Sequence, residues 1–294
     1  MIYTCTTNPS LDYYITIPSI ELGRNNRSDM EMYDAGGKGV NVSIVLNSFR
    51  IPSVAMGFLG GFTRDFYLSF IADYPNIQLL FVTIKDNTRI NVKIMDNHNE
   101  TSINAVGPKI TDEEFDKFRS RINDIYPGDY FVLSGNIEEE IKERMIEIVK
   151  GLSEDGVKVV IDSDADVLKK LEGIKLFAVK LNDSNIENDV KDVYKNFLDN
   201  GVENVLYSAP HKPSYLFTKA ETLQCDNQAD SLVNAIGSAD SMVAGFIYGS
   251  LRGATTLESF KYANAASLAT CMSNDLGSKE KIEELFAQIE VRNI

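Results

Sequence analysis

Six short β-prone, largely apolar runs recur along the chain, at 2–6, 53–58, 130–133, 157–161, 176–179 and 205–207, with amphipathic segments between most of them. Several are continuously apolar, the mark of strands buried on both faces of a parallel sheet. Parallel neighbours need a crossover connection, usually a helix laid against the sheet. The pattern therefore restricts the chain to a doubly wound α/β architecture: a mostly parallel sheet flanked by helices. Thr111-Asp112-Glu113-Glu114 starts a helix with a capping box that runs to 122. Residues 138–151 space Ile141, Met145, Ile148 and Val149 at helical intervals and stop at Gly151. The last third reads as nearly all helix, at 240–248, 257–272 and 279–289. Two regions break the alternation, about 13–33 and 84–104. In 89–94 polar and apolar residues alternate, which suits a sheet with one exposed face. We read both regions as a small projecting β-sheet inserted into a single domain spanning 1–294, acting as a lid over a site or as a contact with a second copy.

The formal net charge is −14, a field that repels nucleic acid and anionic membrane, so neither is expected as a partner. An anionic substrate would require a locally basic pocket. The three cysteines, Cys5, Cys225 and Cys271, are widely spaced and form no metal-binding or CxxC pattern. They read as reduced thiols of a cytoplasmic protein. The first six residues look like a strand and not a signal peptide. His98 and His211 sit among polar or turn-forming residues and read as surface histidines, so a general base here must be a carboxylate.

Two glycine-bearing turns carry the chemistry. The first, Asp34-Ala35-Gly36-Gly37-Lys38-Gly39-Val40-Asn41-Val42-Ser43, leads into a helix. Its glycines permit close backbone approach to a ligand, with a cation at Lys38 and a donor–acceptor at Asn41. Its spacing is neither GxxxxGK[ST] nor GxGxxG, which disfavours a nicotinamide-dependent reductase. The second runs from Asn234 through Gly237, Ser238, Ala239 and Asp240 into an apolar helix. Backbone amides at such a helix start suit an anion, and Asp240 suits a general base. Taken alone, the segment favours Asp240 as a helix cap, and the first glycine turn changes that balance. Asp12 follows the first strand, at the sheet edge where α/β folds bind ligands, and is either a hydroxyl acceptor or part of an Asx-type turn after Pro9.

In order, Asn8-Pro9-Ser10-Leu11-Asp12, the Gly36–Ser43 turn, Gly57-Phe58-Leu59-Gly60-Gly61, Thr88-Arg89-Ile90-Asn91-Val92-Lys93 and the 237–246 segment resemble the PfkB group of ribokinase-like sugar kinases. The branch most similar is that of 1-phosphofructokinases and tagatose-6-phosphate kinases, and the resemblance covers nearly the whole chain. It implies a ribokinase-like fold and an ATP- and Mg²⁺-dependent transfer to a phosphorylated ketohexose. Fructose 1-phosphate leads, with tagatose 6-phosphate and fructose 6-phosphate as alternatives. It implies Asp240 as base and the backbone of Gly237, Ser238, Ala239 and Asp240 as an anion hole. Asp12, Gly36, Gly37 and Asn41 would hold sugar hydroxyls. Lys38 and Arg89 would face the sugar's own phosphate, with Arg24 and Arg27 as weaker candidates. Lys180, Asn182, Ser208, Gly237 and Asn264 would serve the nucleotide.

Three positions depart from the family pattern. Ala239 stands where Gly is usual, and a left-handed backbone there would cost ~1–2 kcal/mol. Asn185 stands where a metal-shell Glu is usual, with Asp183 and Glu187 the nearby carboxylates. The 208–214 loop carries Pro210 and Pro213 in place of glycines. These departures motivate a reading from another class, a degenerate kinase that binds sugar phosphate or nucleotide as a sensor. The projecting strands suggest a homodimer through the lid.

Overall fold

In the computed structural model of the chain, residues 1–96, 99–186, 189–226, 233 and 235–294 are described. The expectations at His98, Glu187 and Asn234 lie outside the described residues. In chain order the elements are β1 (Ile2–Thr6), β2 (Ser10–Thr16), β3 (Met30–Gly36), α1 (Lys38–Ser48), β4 (Ser53–Gly60), α2 (Gly61–Ile71), β5 (Ile77–Ile84), β6 (Arg89–Met95), β7 (Glu100–Ile103), α3 (Asp112–Ile122), β8 (Tyr130–Ser134) and α4 (Glu139–Glu154). They continue with β9 (Lys158–Asp162), α5 (Ala165–Lys170), β10 (Leu176–Leu181), α6 (Val190–Asp199), β11 (Val202–Tyr207), β12 (Ser214–Phe217), β13 (Thr222–Cys225), α7 (Ser238–Leu251), α8 (Thr256–Cys271), α9 (Lys279–Gln288) and β14 (Val291–Asn293).

The apolar runs form one sheet, in the order β14-β13-β12-β11-β10-β9-β8-β1-β4-β5. From β11 to β5 every pairing is parallel. Alternation along the strands splits the core into two layers. Ile2, Tyr130, Val132, Val160 and Leu206 pack against α1, α7, α8 and α9 on one face. Tyr3, Cys5, Phe131, Leu133, Val159 and Val205 pack against α3, α4, α5 and α6 on the other. The capping box expected at Thr111 is present, with Thr111 and Glu114 bonding each other's backbone. Helix α7 is buried continuously from Asp240 to Gly249, because it lies between the sheet and α8. A Cβ on Gly245 would sit 2.3 Å from the carbonyl oxygen of Tyr262, so the two helix backbones touch there.

The chain after residue 200 is less helical than its composition suggests. β12, β13 and β14 extend the sheet by antiparallel pairing. Strands of three or four residues show no usable periodicity. What creates the β12–β13 hairpin is the tight turn at Thr218, whose hydroxyl accepts from the amides of Ala220 and Glu221.

Counting outward from β1, the strand order runs to β4 on one side and to β8 on the other, so the crevice beyond the carboxyl ends of β1 and β8 is the switch point where such sheets bind ligands. A second sheet, β3-β2-β6-β7, stands over that crevice. Its register places Asp12, Asp34, Asn91 and Arg89 on the same face as Met30, Met32 and Met95. The acidic and basic residues lie toward the crevice, and the methionines lie farther out and exposed.

Candidate active site

The crevice holds a cavity of about 310 Å³ with walls from both sheets. Asp12, Gly36, Gly37, Lys38, Asn41, Arg89, Gly237 and Asp240 all line it. The two glycine turns thus meet across it, although Lys38 and Asp240 are some two hundred residues apart in sequence.

Asp240 lies in the first turn of α7 and is buried. Asn41, on α1, donates from Nδ2 to its Oδ2 at 2.7 Å. Burial, and then the charge of Asp162, push its carboxyl up to about 7 against the opposing pull of Lys38, Asn41 and Lys180. Asp162 ends β9 and binds Lys38 Nζ at 3.2 and 3.3 Å. Burial works against the Lys38 ammonium, but Asp162 and Asp240 overcome it and hold its pKa above the ordinary lysine value. Lys180 is buried at the end of β10, where it donates to the carbonyl of Leu181 at 2.8 Å. Desolvation pushes it down to about 8, opposed by Asp162 and reinforced by Lys38. Four alternating charges therefore couple beneath the cavity floor.

Gly237 caps α7 with φ +77°, a left-handed conformation that a side chain resists. Ala239 is already within the helix and has no positive φ, so the methyl in place of the family's usual glycine carries no backbone strain. Ser238 turns its hydroxyl to the carbonyl of Ala235 at 2.8 Å. The first amides of an α-helix lack partners within it; at α7 the Ser238 amide bonds the carbonyl of Ala235 at 3.3 Å, and Gly237 and Asp240, on either side, line the cavity.

Asp12 is held by three donors: Ser10 Oγ at 2.7 Å, Asn91 Nδ2 at 3.0 Å and Lys93 Nζ at 3.0 Å. Gly36 lies so close that a Cβ there would come within 2.8 Å of the Asp12 carboxylate. Arg89 donates to the carbonyls of Ala105 and Asn8, each at 3.0 Å, and burial holds its pKa below the ordinary value. Arg24 and Arg27 are exposed on the segment between β2 and β3 and do not line the cavity.

The residues assigned to the nucleotide are bonded within the protein. Asn182 caps a short 3₁₀ turn, Asp183–Asn185, accepting from the amide of Ser184 at 2.9 Å. Asn185 accepts from the amide of Asn182 and donates to the carbonyl of Ser163, each at 2.8 Å. Both ends of its side chain are thus engaged, and as a neutral amide it lacks the charge that the family's usual Glu would bring to a Mg²⁺ shell. Among the described residues, no group of three or more His, Cys, Asp or Glu side chains is arranged to hold a metal ion. Ser208 follows β11 and its amide bonds the carbonyl of Leu181 at 3.2 Å. Asn264 is buried and joins α8 to β12, accepting from Ser214 Oγ and donating to the carbonyl of Phe260 at 2.8 Å.

Asp162 and Lys93 escaped the sequence reading of the site. Asp162 had a usable signal, a carboxylate at the carboxyl end of an apolar run, the same logic that singled out Asp12. Lys93 lay within a noted motif, but only the β2–β6 register brings it to Asp12. Cys5, Cys225 and Cys271 form no disulfide with one another. No helix among the described residues is long and apolar enough to cross a membrane.

Comparison with known proteins is consistent along the whole chain. The profile of pfkB family carbohydrate kinases matches residues 10–282. A 1-phosphofructokinase of Borreliella burgdorferi is 33% identical, with 100% of this chain and 99% of that protein covered. A 1-phosphofructokinase of Bacillus subtilis is 32% identical with full coverage of both. The crystal structure of phosphofructokinase-2 from Escherichia coli in complex with substrates and products superposes with a TM-score of 0.90 at 22% identity, covering 98% of this chain and 99% of that one.

Proposed function

The chain belongs to the pfkB family of carbohydrate kinases and is a sugar-phosphate kinase, and from that premise we propose that it transfers the γ-phosphoryl group of ATP to the C6 hydroxyl of fructose 1-phosphate, giving fructose 1,6-bisphosphate. The observation that carries this reading is the meeting of Lys38, Asp240, Asp12 and Arg89 around one cavity. Asp240 takes the proton from the acceptor hydroxyl. With its pKa near 7, an appreciable fraction is ionised at neutral pH, and the base is well matched to the proton it removes. Asn41 holds the carboxylate in place. The amides from Gly237 to Asp240 stabilise the charge on the migrating phosphoryl group. Asp12, pinned by Ser10, Asn91 and Lys93, accepts from sugar hydroxyls, and Gly36 and Gly37 let the sugar approach the backbone. Arg89 and Lys38 face the phosphate already on the sugar.

ATP enters at the carboxyl ends of β10 and β11, beside Lys180, Asn182, Ser208 and Asn264. Mg²⁺ would belong to the MgATP substrate, where it would offset the charge of the transferring phosphates. The small sheet serves as the lid of a single domain. Its exposed Met30, Met32 and Met95 continue the cavity-facing side outward, and they suit a second copy of the chain as partner.

The deciding experiment is an ATP-turnover assay with fructose 1-phosphate, fructose 6-phosphate and tagatose 6-phosphate side by side, for the wild type and Asp240→Asn. Turnover on fructose 1-phosphate that the variant loses supports the reading. A wild type as inactive as the variant on all three supports the sensor instead. For the lid contact, sedimentation of a monomer only at micromolar concentration refutes the dimer.

A further inference from the structure

One group beside the cavity has no part in the chemistry above. Glu138 precedes α4, and neither of its buried carboxylate oxygens has a hydrogen-bond partner of good geometry; its own amide and the Thr7 hydroxyl are the polar groups near it. Two more orphans accompany it: Arg89 Nε and Asn8 Oδ1. A buried ion without a partner is among the most costly arrangements a fold retains. The orphans share one neighbourhood, because Arg89 donates to the carbonyl of Asn8 and feels the Glu138 charge. Asn8 and Arg89 both line the cavity.

The groups acting on Glu138 are few. Its own backbone amide favours the ion, then the Thr7 hydroxyl, and then Arg89 on β6 as the opposite charge. Glu140 on its own helix repels it. Cys5 on β1 also feels it, as a thiol that burial keeps protonated. A phosphate docking against Arg89 adds negative charge and draws on the one guanidinium that compensates Glu138.

We propose that Glu138 is a positioning residue for the anionic end of the substrate: it takes up one proton from solvent at a carboxylate oxygen as a phosphorylated sugar docks against Arg89, so that sugar-phosphate binding itself is proton-linked. This rests on the reading that Arg89 faces the sugar's phosphate. The neutral acid no longer repels the phosphate. It also becomes a hydrogen-bond donor in a shell that holds an acceptor, Asn8 Oδ1, without a donor. Burial already pushes the Glu138 carboxyl up to about 7 in the free protein. Its uptake therefore grows as pH rises from 6 toward 8, and the dissociation constant weakens by up to about tenfold per pH unit above the free-state value.

The test is calorimetric binding of fructose 1-phosphate without ATP, at pH 8, in two buffers of unequal ionisation enthalpy. Wild type and Asp240→Asn should both take up more than about half a proton, which excludes Asp240 as the acceptor. Glu138→Gln should lose that uptake and flatten the pH dependence of the dissociation constant. Equal uptake in wild type and Glu138→Gln overturns the proposal, as does a wild-type dissociation constant unchanged between pH 7 and 8.5, a measurement that needs no variant. No binding of any sugar phosphate to the wild type overturns the substrate reading itself; binding without proton uptake overturns only the role of Glu138.

Discussion

Neutralising Lys38 and neutralising Asp162 should move the acid limb of the kcat–pH profile in opposite directions. Both charges act on the buried Asp240 carboxylate, Asp162 raising its pKa and Lys38 lowering it. At an effective dielectric constant of ~20, a unit charge near a buried carboxylate is worth ~2–3 kcal/mol, or about 1.5–2 pKa units. The Lys38 side chain is 41% exposed, so solvent screens it, and Lys38→Met should raise the limb by about one unit. Asp162 is 2% exposed and acts nearly in full. Asp162→Asn also releases Lys38 from its partner, leaving it free to favour ionised Asp240 more strongly, so the limb should fall by about 1–2 units. Initial rates of labelled phosphoryl transfer from pH 5 to 9, at saturating sugar phosphate and MgATP, separate this effect from binding. What matters is the position of the limb, not its height. Shifts in the same direction, or no shift in either variant, would refute the assignment of Asp240 as the titrating base.

Further outcomes follow from single contacts. Asp240→Asn should abolish turnover yet stabilise the fold near pH 8. Its folded pKa is raised, so the wild type loses stability as pH climbs from the unfolded value toward about 7, by ~1.4 kcal/mol per unit, and melting at pH 5.5 and 8 should show the variant's advantage growing with pH. Gly237→Ala forces a side chain into φ +77° and places Cβ 2.4 Å from Leu276 Cδ2. A loss of ~1–2 kcal/mol in denaturant unfolding is expected, with a larger proportional fall in kcat. Gly245→Ala meets the backbone of α8, which cannot step aside, and should cost ~1–3 kcal/mol or more; a neutral result would mean that α7 and α8 pack less closely than described. Arg89→Ala should raise KM for the sugar phosphate far more than for ATP, and equal effects would remove Arg89 from the sugar end.

The α/β architecture was legible because burial on both faces of a parallel sheet leaves a plain mark in residues such as Phe131, Val132 and Leu133. The edge strands β12 to β14 left none, since their existence depends on a turn and on pairing partners. Ala239 shows the limit of motif comparison. Its cost depended on a backbone angle that the sequence does not state, and the left-handed residue turned out to be Gly237. Asn41 was expected at the sugar and does line the cavity, but its bond to Asp240 was not readable from the sequence.

By itself the sequence determined the layered sheet, the family and the two glycine turns, because hydrophobic periodicity and helix-start chemistry are local properties of the chain. The tertiary structure decided which charges face one another. Lys38, Asp162, Lys180 and Asp240 come from four separate elements, and Glu138 feels the charge of Arg89 from a different sheet. Electrostatic coupling depends on distance and on exclusion of water, and both arise only when the sheet closes over its switch point.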